Sequence, residues 1–241
     1  MSDNSIAFAF PGQGSQKVGM LADAYTQYQA VRDTFAEAAD ALGYDMWDLI
    51  QNGEQEALNL TETTQPVLLT SSVALWRAWQ EQGGRNPALM AGHSLGEFSA
   101  LVCAGALDFA DGVRLVRQRG QFMQTAVPVG EGAMAAIIGL DDDSINSVCN
   151  GVEGVVAAVN YNSPGQVVIA GHTAAVEQAI VGLKEAGAKR AMPLPVSAPF
   201  HTELMKPAGE RLAGVIAGLE FSAPKIPVVH NVHAKTEADP Q

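Results

Sequence analysis

Cysteine is scarce, with only Cys103 and Cys149 in 241 residues, and the two have neither the number for a disulfide framework nor metal-ligand spacing. A reducing compartment fits best, and Cys103, in an apolar helical pattern, reads as buried filler against the rival reading of a reactive thiol. Positive charge is also in short supply: 14 Lys and Arg stand against 26 Asp and Glu, a formal net charge of −12. That balance excludes a broad surface for nucleic acid or anionic membrane, because both need a positive field at contact distance. No apolar run approaches a membrane span, and the Met1-Ser-Asp-Asn-Ser5 start has no basic segment before an apolar one, so the chain is expected to be cytoplasmic. Internal repeats, low-complexity tracts and heptads are missing too, and a monomer is the default expectation.

What is present is enough apolar material, 47% of residues, for one large core or a main domain with an insertion. Ile6 to Phe10 reads as a short buried strand closed by the breaker run Pro11-Gly-Gln-Gly-Ser-Gln16. Helical spacing of Val31, Phe35, Ala38 and Leu42 ends at Gly43, and a second helix is expected from Thr64-Gln-Pro66, with proline in its first turn, to Gly83-Gly84. Ala88 to Ala91 is a second strand, followed by a helix over 97–107 and another over 108–127 capped by Asp108. From Gly130 onward the pattern becomes strand 133–138, helix 141–149, strands 155–159 and 166–170, helix 173–186 and strand 191–196. That βαββαβ order predicts a ferredoxin-like subdomain over 128–198, inserted in an α/β-hydrolase-like core made of 1–127 and 199–241.

The second strand leads into Gly92-His-Ser-Leu-Gly96, a G-x-S-x-G pattern between strand and helix. Glycines in such a turn keep side chains out of a cramped bend and lift the serine oxygen to the carboxyl edge of the sheet. Ser94 is therefore either a nucleophile or a small residue in a tight turn. If it is a nucleophile, the N–H of Leu95 at the helix start supplies half of an oxyanion hole, and the backbone of Gln13 in the first glycine loop supplies the other half. That loop is no nucleotide fingerprint, since Lys17 stands where a third glycine is needed.

A serine hydroxyl needs a base, and histidine is the usual one. His93 adjoins the serine but points elsewhere on the turn, and His172 reads as a solvated residue opening a helix. His230 and His233 form an H-x-x-H pair without a third ligand and read as surface residues. His201 follows a strand end and Pro199 and comes after the serine in chain order, so it is the candidate base, with a structural histidine as the competing reading. On the 108–127 helix, Arg119 lies in the apolar arc with Phe109, Val113, Leu115, Val116, Phe122 and Met123, at about 100° per residue. An arginine there needs an anionic or polar partner: an internal carboxylate, or a substrate carboxylate held by the guanidinium fork.

Five segments resemble malonyl-CoA:acyl carrier protein transacylases of bacterial fatty acid synthesis: Phe10-Pro-Gly-Gln-Gly-Ser-Gln16, Gly92-His-Ser-Leu-Gly-Glu97, Arg117-Gln-Arg-Gly120, Asn160-Tyr-Asn-Ser-Pro-Gly-Gln166 and Pro195-Val-Ser-Ala-Pro-Phe-His201. The resemblance implies an acyltransferase with Ser94 as nucleophile, His201 as general base and acid, and the N–H groups of Gln13 and Leu95 as oxyanion hole. It implies that Arg119 grips the malonyl carboxylate, reversing the internal-pair reading, and that Met123 and Phe200 line the acyl pocket, where a bulky Phe200 leaves little room for an α-methyl branch. Coenzyme A thioester and acyl carrier protein are the implied partners, and no cofactor or metal is required. Chains of the family run on roughly sixty residues beyond the position of Gln241, by the scale of domain lengths, and there contribute a carbonyl that orients the histidine. Since the carrier is acidic, Lys184, Lys189, Arg190, Lys206 and Arg211 are the expected docking cations. A serine esterase or thioesterase on the same turn, and a non-catalytic carrier-binding module, are the rival readings.

Overall fold

The computed structural model describes residues 5–196, 198–237 and 239, so the acidic N-terminal start and Ser197 of the histidine segment lie outside the described residues. The chain divides into two compact units, one of residues up to Gly120 together with those from Val215 onward, the other of Gln121–Gly214. The junctions fall inside helices.

The first unit is built on a parallel sheet of β1 (Ala7–Phe10), β2 (Leu89–Gly92) and β7 (Val228–Val229), with β2 in the middle. Phe10 is in register with Gly92, so the two glycine-bearing loops that follow β1 and β2 leave the sheet at the same edge. Between these strands lie α1 (Ala22–Gln27), α2 (Gln29–Leu42), α3 (Met46–Asn52), α4 (Gln55–Leu58) and α5 (Thr61–Glu81), and after them α6 (Leu95–Cys103) and the start of α7 (Phe109–Gln124). The short helices α1, α3 and α4 carry too few turns for periodicity to reveal them. Only α3 has a legible start, Asp45, whose carboxylate accepts the N–H of Asp48.

Helix α5 begins at Thr61 rather than at Thr64, so the proline stands in the helix interior and not in its first turn. The helix survives the loss of one backbone donor because it is the spine of the unit. Val67, Leu68, Leu69, Val73 and Ala74 are buried with Val31, Phe35 and Ala38 of α2. Helix α6 also departs from expectation, ending at Cys103 instead of 107. Gly105 takes φ +74°, a left-handed conformation that stops the helix one residue beyond Ala104.

In the second unit, β3 (Gly132–Ile138), α8 (Asp142–Asn150), β4 (Val156–Ser163), β5 (Gln166–His172), α9 (Thr173–Glu185) and β6 (Arg190–Pro193) follow the expected βαββαβ order. The strands pair antiparallel in the order β4-β5-β3-β6. Alternation sorts the side chains: Ala135, Ile137, Val167 and Ile169 pack with Ile145 of α8 and Val176, Ala179 and Leu183 of α9. Met134, Val168 and Ala170 face the opposite way, against Met123, Ala198, Phe200 and Ala208. Because both faces are covered, β5 reads as a continuous apolar run. Ala208 lies on α10 (Lys206–Ile216). Among the described residues no helix is long and apolar enough to cross a membrane.

Helix α7 approaches the first turn of α5 through Gly120, where an added Cβ would lie 2.6 Å from the Thr61 carbonyl oxygen and 2.6 Å from the Glu62 Cα. Those are backbone atoms and cannot swing aside, so the close approach needs glycine. Gly120→Ala should therefore lose about 1–3 kcal/mol by overpacking despite alanine's better helix propensity. A lowered urea midpoint is the expected readout, and an unchanged or raised midpoint would mean that the helices separate freely.

Candidate active site

The bend after β2 is forced by backbone contact. A Cβ on Gly92 would sit 1.8 Å from the carbonyl carbon of Gly96, and one on Gly96 would sit 2.2 Å from the Phe10 carbonyl oxygen. The His93 N–H donates to that same Phe10 carbonyl at 3.0 Å, tying the bend to the end of β1. Ser94, wedged between the two glycines, takes φ +51° and ψ −103°. A non-glycine residue at positive φ costs of order 1–3 kcal/mol and persists only where its surroundings over-determine it. Leu95, the next residue, is the first of α6, so its N–H is among the donors that a helix start leaves without an intrahelical acceptor.

The β1 loop runs alongside. Gly12 lies against His93, where an added Cβ would be 2.6 Å from the His93 carbonyl oxygen and 2.8 Å from its ring Nδ1. The His93 ring is thus turned over the glycine loop. Gln13 follows Gly12, and its side-chain oxygen accepts a hydrogen bond from Gln65 Nε2 at 3.1 Å.

Arg119 closes this group of residues. Its Nη1 donates to Gln65 Oε1 at 2.9 Å and its Nη2 donates to Ser94 Oγ at 3.2 Å, while the guanidinium carbon stands 5.4 Å from the Phe98 ring centre. Its hydrogen bonds go to an amide and a hydroxyl, and among the described residues no carboxylate pairs with it, so the internal ion pair is not what the structure contains. Burial lowers its pKa to about 10, opposed by the more distant Glu97 charge. It remains a cation at neutral pH, poised beside the serine oxygen. Gln65, fully buried on α5, is the intermediary that the sequence reading passed over as a helix-start residue. A buried glutamine amid apolar neighbours was its only signal.

In the second unit, His201 sits in a turn in which Thr202 Oγ donates to the Pro199 carbonyl at 2.7 Å and Pro199 packs on Gly132 at the start of β3. His201 itself has φ +65° and an exposed side chain. Among the described residues only Leu21, Ser94, His201 and Ala234 combine a side chain with positive φ, and two of these four are the proposed nucleophile and base. Met123 and Phe200, each 7% exposed, meet in one apolar cluster.

The other histidines separate. His230 is not a free surface residue: its Nδ1 lies 2.8 Å from Glu97 Oε1, and both side chains are about one-fifth exposed, at 22% and 21%. His233 is exposed, and His172 ends β5 opposite Gly132. Burial pushes the Cys149 thiol up to about 11 and raises the Cys103 thiol further, so neither is a ready nucleophile.

A family model for the acyl transferase domain matches residues 7–241. The malonyl CoA-acyl carrier protein transacylase of Salmonella typhimurium is 65% identical over 236 residues, which is 97% of this chain and 76% of that protein. The chain belongs to the malonyl CoA-acyl carrier protein transacylase family. The Bacillus subtilis transacylase is 50% identical over 234 residues, or 96% of this chain and 74% of that one. Among solved structures, an acyl carrier protein S-malonyltransferase from Vibrio cholerae aligns with a TM-score of 0.95 at 60% identity, covering 97% of this chain and 77% of that one. A malonyl-transacylase in complex with its type II PKS acyl-carrier protein aligns at 0.97 and 58% identity, covering 98% and 77%. The chain thus spans about three quarters of the length of these transacylases.

Within this transacylase the Gln65 amide bridges Gln13 and Arg119. Gln65→Leu keeps the volume but removes the acceptor of Arg119 Nη1 and the donor to Gln13. Leaving such groups unmade costs about 1–3 kcal/mol, so the urea midpoint should fall and the Michaelis constant for a carboxylate-bearing acyl thioester should rise. A variant with wild-type values for both would show that Arg119 needs no such support.

Proposed function

We propose that the chain transfers a malonyl group from malonyl-CoA to the phosphopantetheine thiol of acyl carrier protein by way of a malonyl ester on Ser94, supplying extender units for fatty acid synthesis. The observation that carries the reading is the Arg119 guanidinium 3.2 Å from Ser94 Oγ, a fixed cation beside the nucleophile of an acyl-transferase bend. A plain esterase has no use for a desolvated arginine at that distance. Malonyl thioesters need one, because their free carboxylate must be neutralised as it leaves water.

The steps run in two halves. Ser94 Oγ attacks the thioester carbonyl carbon while His201 takes the hydroxyl proton, and the carbonyl oxygen gathers negative charge between the N–H groups of Leu95 and Gln13. Collapse breaks the carbon–sulfur bond, and coenzyme A leaves with the proton from the imidazolium. In the second half His201 takes the proton of the carrier thiol, sulfur attacks the malonyl ester, and Ser94 Oγ departs with that proton. Arg119 holds the malonyl carboxylate throughout. As that carboxylate takes over the guanidinium fork, Nη2 releases Ser94 Oγ, whose lone pair becomes available for attack. Met123 and Phe200 form the apolar wall, and the bulk of Phe200 selects against an α-methyl branch. The residues present require no metal or cofactor for these steps.

The two units are read as an α/β-hydrolase-like core and a ferredoxin-like subdomain. The parallel sheet with its serine bend supports the first, and the antiparallel order β4-β5-β3-β6 with two helices on one face supports the second. A soluble cytoplasmic monomer fits a chain whose partner is a diffusing carrier. Intact-mass measurement after incubation with malonyl-CoA tests the chemistry. The expected result is one malonyl adduct, absent in Ser94→Ala, whereas an adduct persisting in that variant would assign the chemistry elsewhere. In Arg119→Ala the preference for malonyl over acetyl thioester should fall by at least about 10-fold, the scale of a lost charge-assisted bond.

The carrier docks on exposed cations. Lys184, Lys189, Arg190 and Lys206 are exposed, and Arg211 stacks on Phe122 with its guanidinium carbon 4.0 Å from the ring centre. Charge reversal at Lys189 and Arg190 should raise the Michaelis constant for carrier protein at low salt and leave that for malonyl-CoA alone. Equal values for the carrier before and after reversal would remove these two residues from the interface.

A further inference from the structure

The bend that carries Ser94 is gripped by a side chain more than 130 residues away. Asn231 Oδ1 accepts the Ser94 N–H at 2.8 Å, and its Nδ2 donates to the Gly92 carbonyl at 2.6 Å and to Glu97 Oε2 at 2.6 Å. The Asn231 backbone N–H donates to the same Glu97 oxygen at 2.8 Å, and His230 Nδ1 meets the other carboxylate oxygen at 2.8 Å. The amide orientation is dictated by its partners, since an N–H needs an acceptor and a carbonyl needs a donor. As a carboxylate only accepts, the ring proton of His230 belongs on Nδ1.

We infer that Asn231 is a positioning residue for the transacylase reaction, holding Ser94 in its strained conformation while Glu97 and His230 hold Asn231. One amide reaches the residue two before the nucleophile, the nucleophile itself and the residue three after it. It spans the whole bend. By occupying the Ser94 N–H it leaves the neighbouring Leu95 N–H as the bend's donor to the developing oxyanion, and by fixing the Gly92 carbonyl it sets the direction in which Ser94 Oγ projects. Glu97, on the first turn of α6, accepts three hydrogen bonds and couples the clamp to the helix whose start supplies that N–H. His230 directly follows β7, so the clamp is anchored beside the strand paired with β2.

The inference rests on Ser94 being the reactive serine, and the test separates it from the choice of malonyl as acyl group. A fluorophosphonate probe reports the reactivity of that oxygen whatever the natural acyl group: the Oγ–phosphorus bond forms, fluoride leaves and the serine proton passes to the base. In Asn231→Ala the second-order rate of Ser94 phosphonylation should fall about 10- to 100-fold, the scale of a displacement near 1 Å at a reacting centre. The saturating rate of malonyl-enzyme formation should fall by the same factor with its half-saturating concentration within two-fold of wild type. Asn231→Asp, nearly isosteric but unable to donate to Gly92 and facing Glu97 with like charge, should be as slow, and adding Glu97→Gln to it should recover part of the loss. Should Asn231→Ala fail to fold, the aspartate variant and its Glu97→Gln partner carry the test. Unchanged phosphonylation in the folded variants would overturn the role, as would a raised half-saturating concentration at an unaltered saturating rate. A wild-type chain that takes up the probe at Ser94 but no malonyl group would overturn the substrate and leave the clamp to be judged by phosphonylation alone.

Discussion

The contact between the backbones of Gly92 and Gly96, with Gly96 in turn pressed on the Phe10 carbonyl, is the constraint on which the site depends. It brings strand β2 and helix α6 closer than any side chain permits, and the residue between them has no relaxed conformation left. Ser94 takes φ +51° because the chain must reverse within three residues. Every feature that makes the serine useful follows: an oxygen lifted off the sheet edge, a helix start one residue later, and the parallel β1 loop drawn alongside through Gly12. Strain of order 1–3 kcal/mol is comparable with the few hydrogen bonds that oppose it, each contributing about 0.5–1.5 kcal/mol and more where a charge takes part. The bend holds because three such restraints act at once, namely His93 to Phe10, Asn231 to Gly92 and Asn231 to Ser94.

A cation beside this oxygen raises a second problem, because a guanidinium away from water without a carboxylate is costly. The chain meets it with neutral acceptors. Gln65 takes one arm of Arg119, Ser94 takes the other, and the Phe98 ring supplies a negative face at 5.4 Å. Burial moves the group down to about 10, because a charge withdrawn from water is disfavoured. An anionic ligand completes the set. Among the described residues no carboxylate pairs with Arg119, whereas a glutamate at position 65 would satisfy the arginine internally.

Some of this was legible in the residues before any coordinates. The G-x-S-x-G spacing between an apolar run and a helical one located the bend, and the placement of Arg119 in an apolar arc called for an anionic or polar partner without saying which; the partners found are Gln65 and Ser94. Period-two and helical patterns located β3 to β6 with α8 and α9, because that unit alternates short elements with clear turn residues. The start of α5 was missed: Pro66 suggests a first turn, but burial on most sides lets tertiary packing carry a helix through a proline. Gln65 and Asn231 were invisible for a common reason. Each acts through an amide that binds backbone or another side chain far away in sequence, 54 residues for Gln65 to Arg119 and 137 for Asn231 to Ser94. Local pattern carries no trace of such pairings. His230 was misassigned by its nearest histidine when its partner was Glu97, 133 residues earlier.

Strand β7 draws these observations into one argument. It contributes only Val228 and Val229 to the parallel sheet, a stretch too short to stabilise much by itself. Its burial is nonetheless complete at Val228, which packs with Met90, Ala100 and Ile226 beneath β2 and α6. The two residues after it are His230 and Asn231. A short strand whose own hydrogen bonds matter little thus fixes, to within the length of one side chain, where the amide that spans the serine bend emerges. Sheet pairing sets the position, apolar packing sets the depth, and Glu97 sets the rotation. The geometry of the serine bend is therefore assembled by the sheet as a whole, which explains how a bend encoded near residue 94 relies on residues encoded near 230.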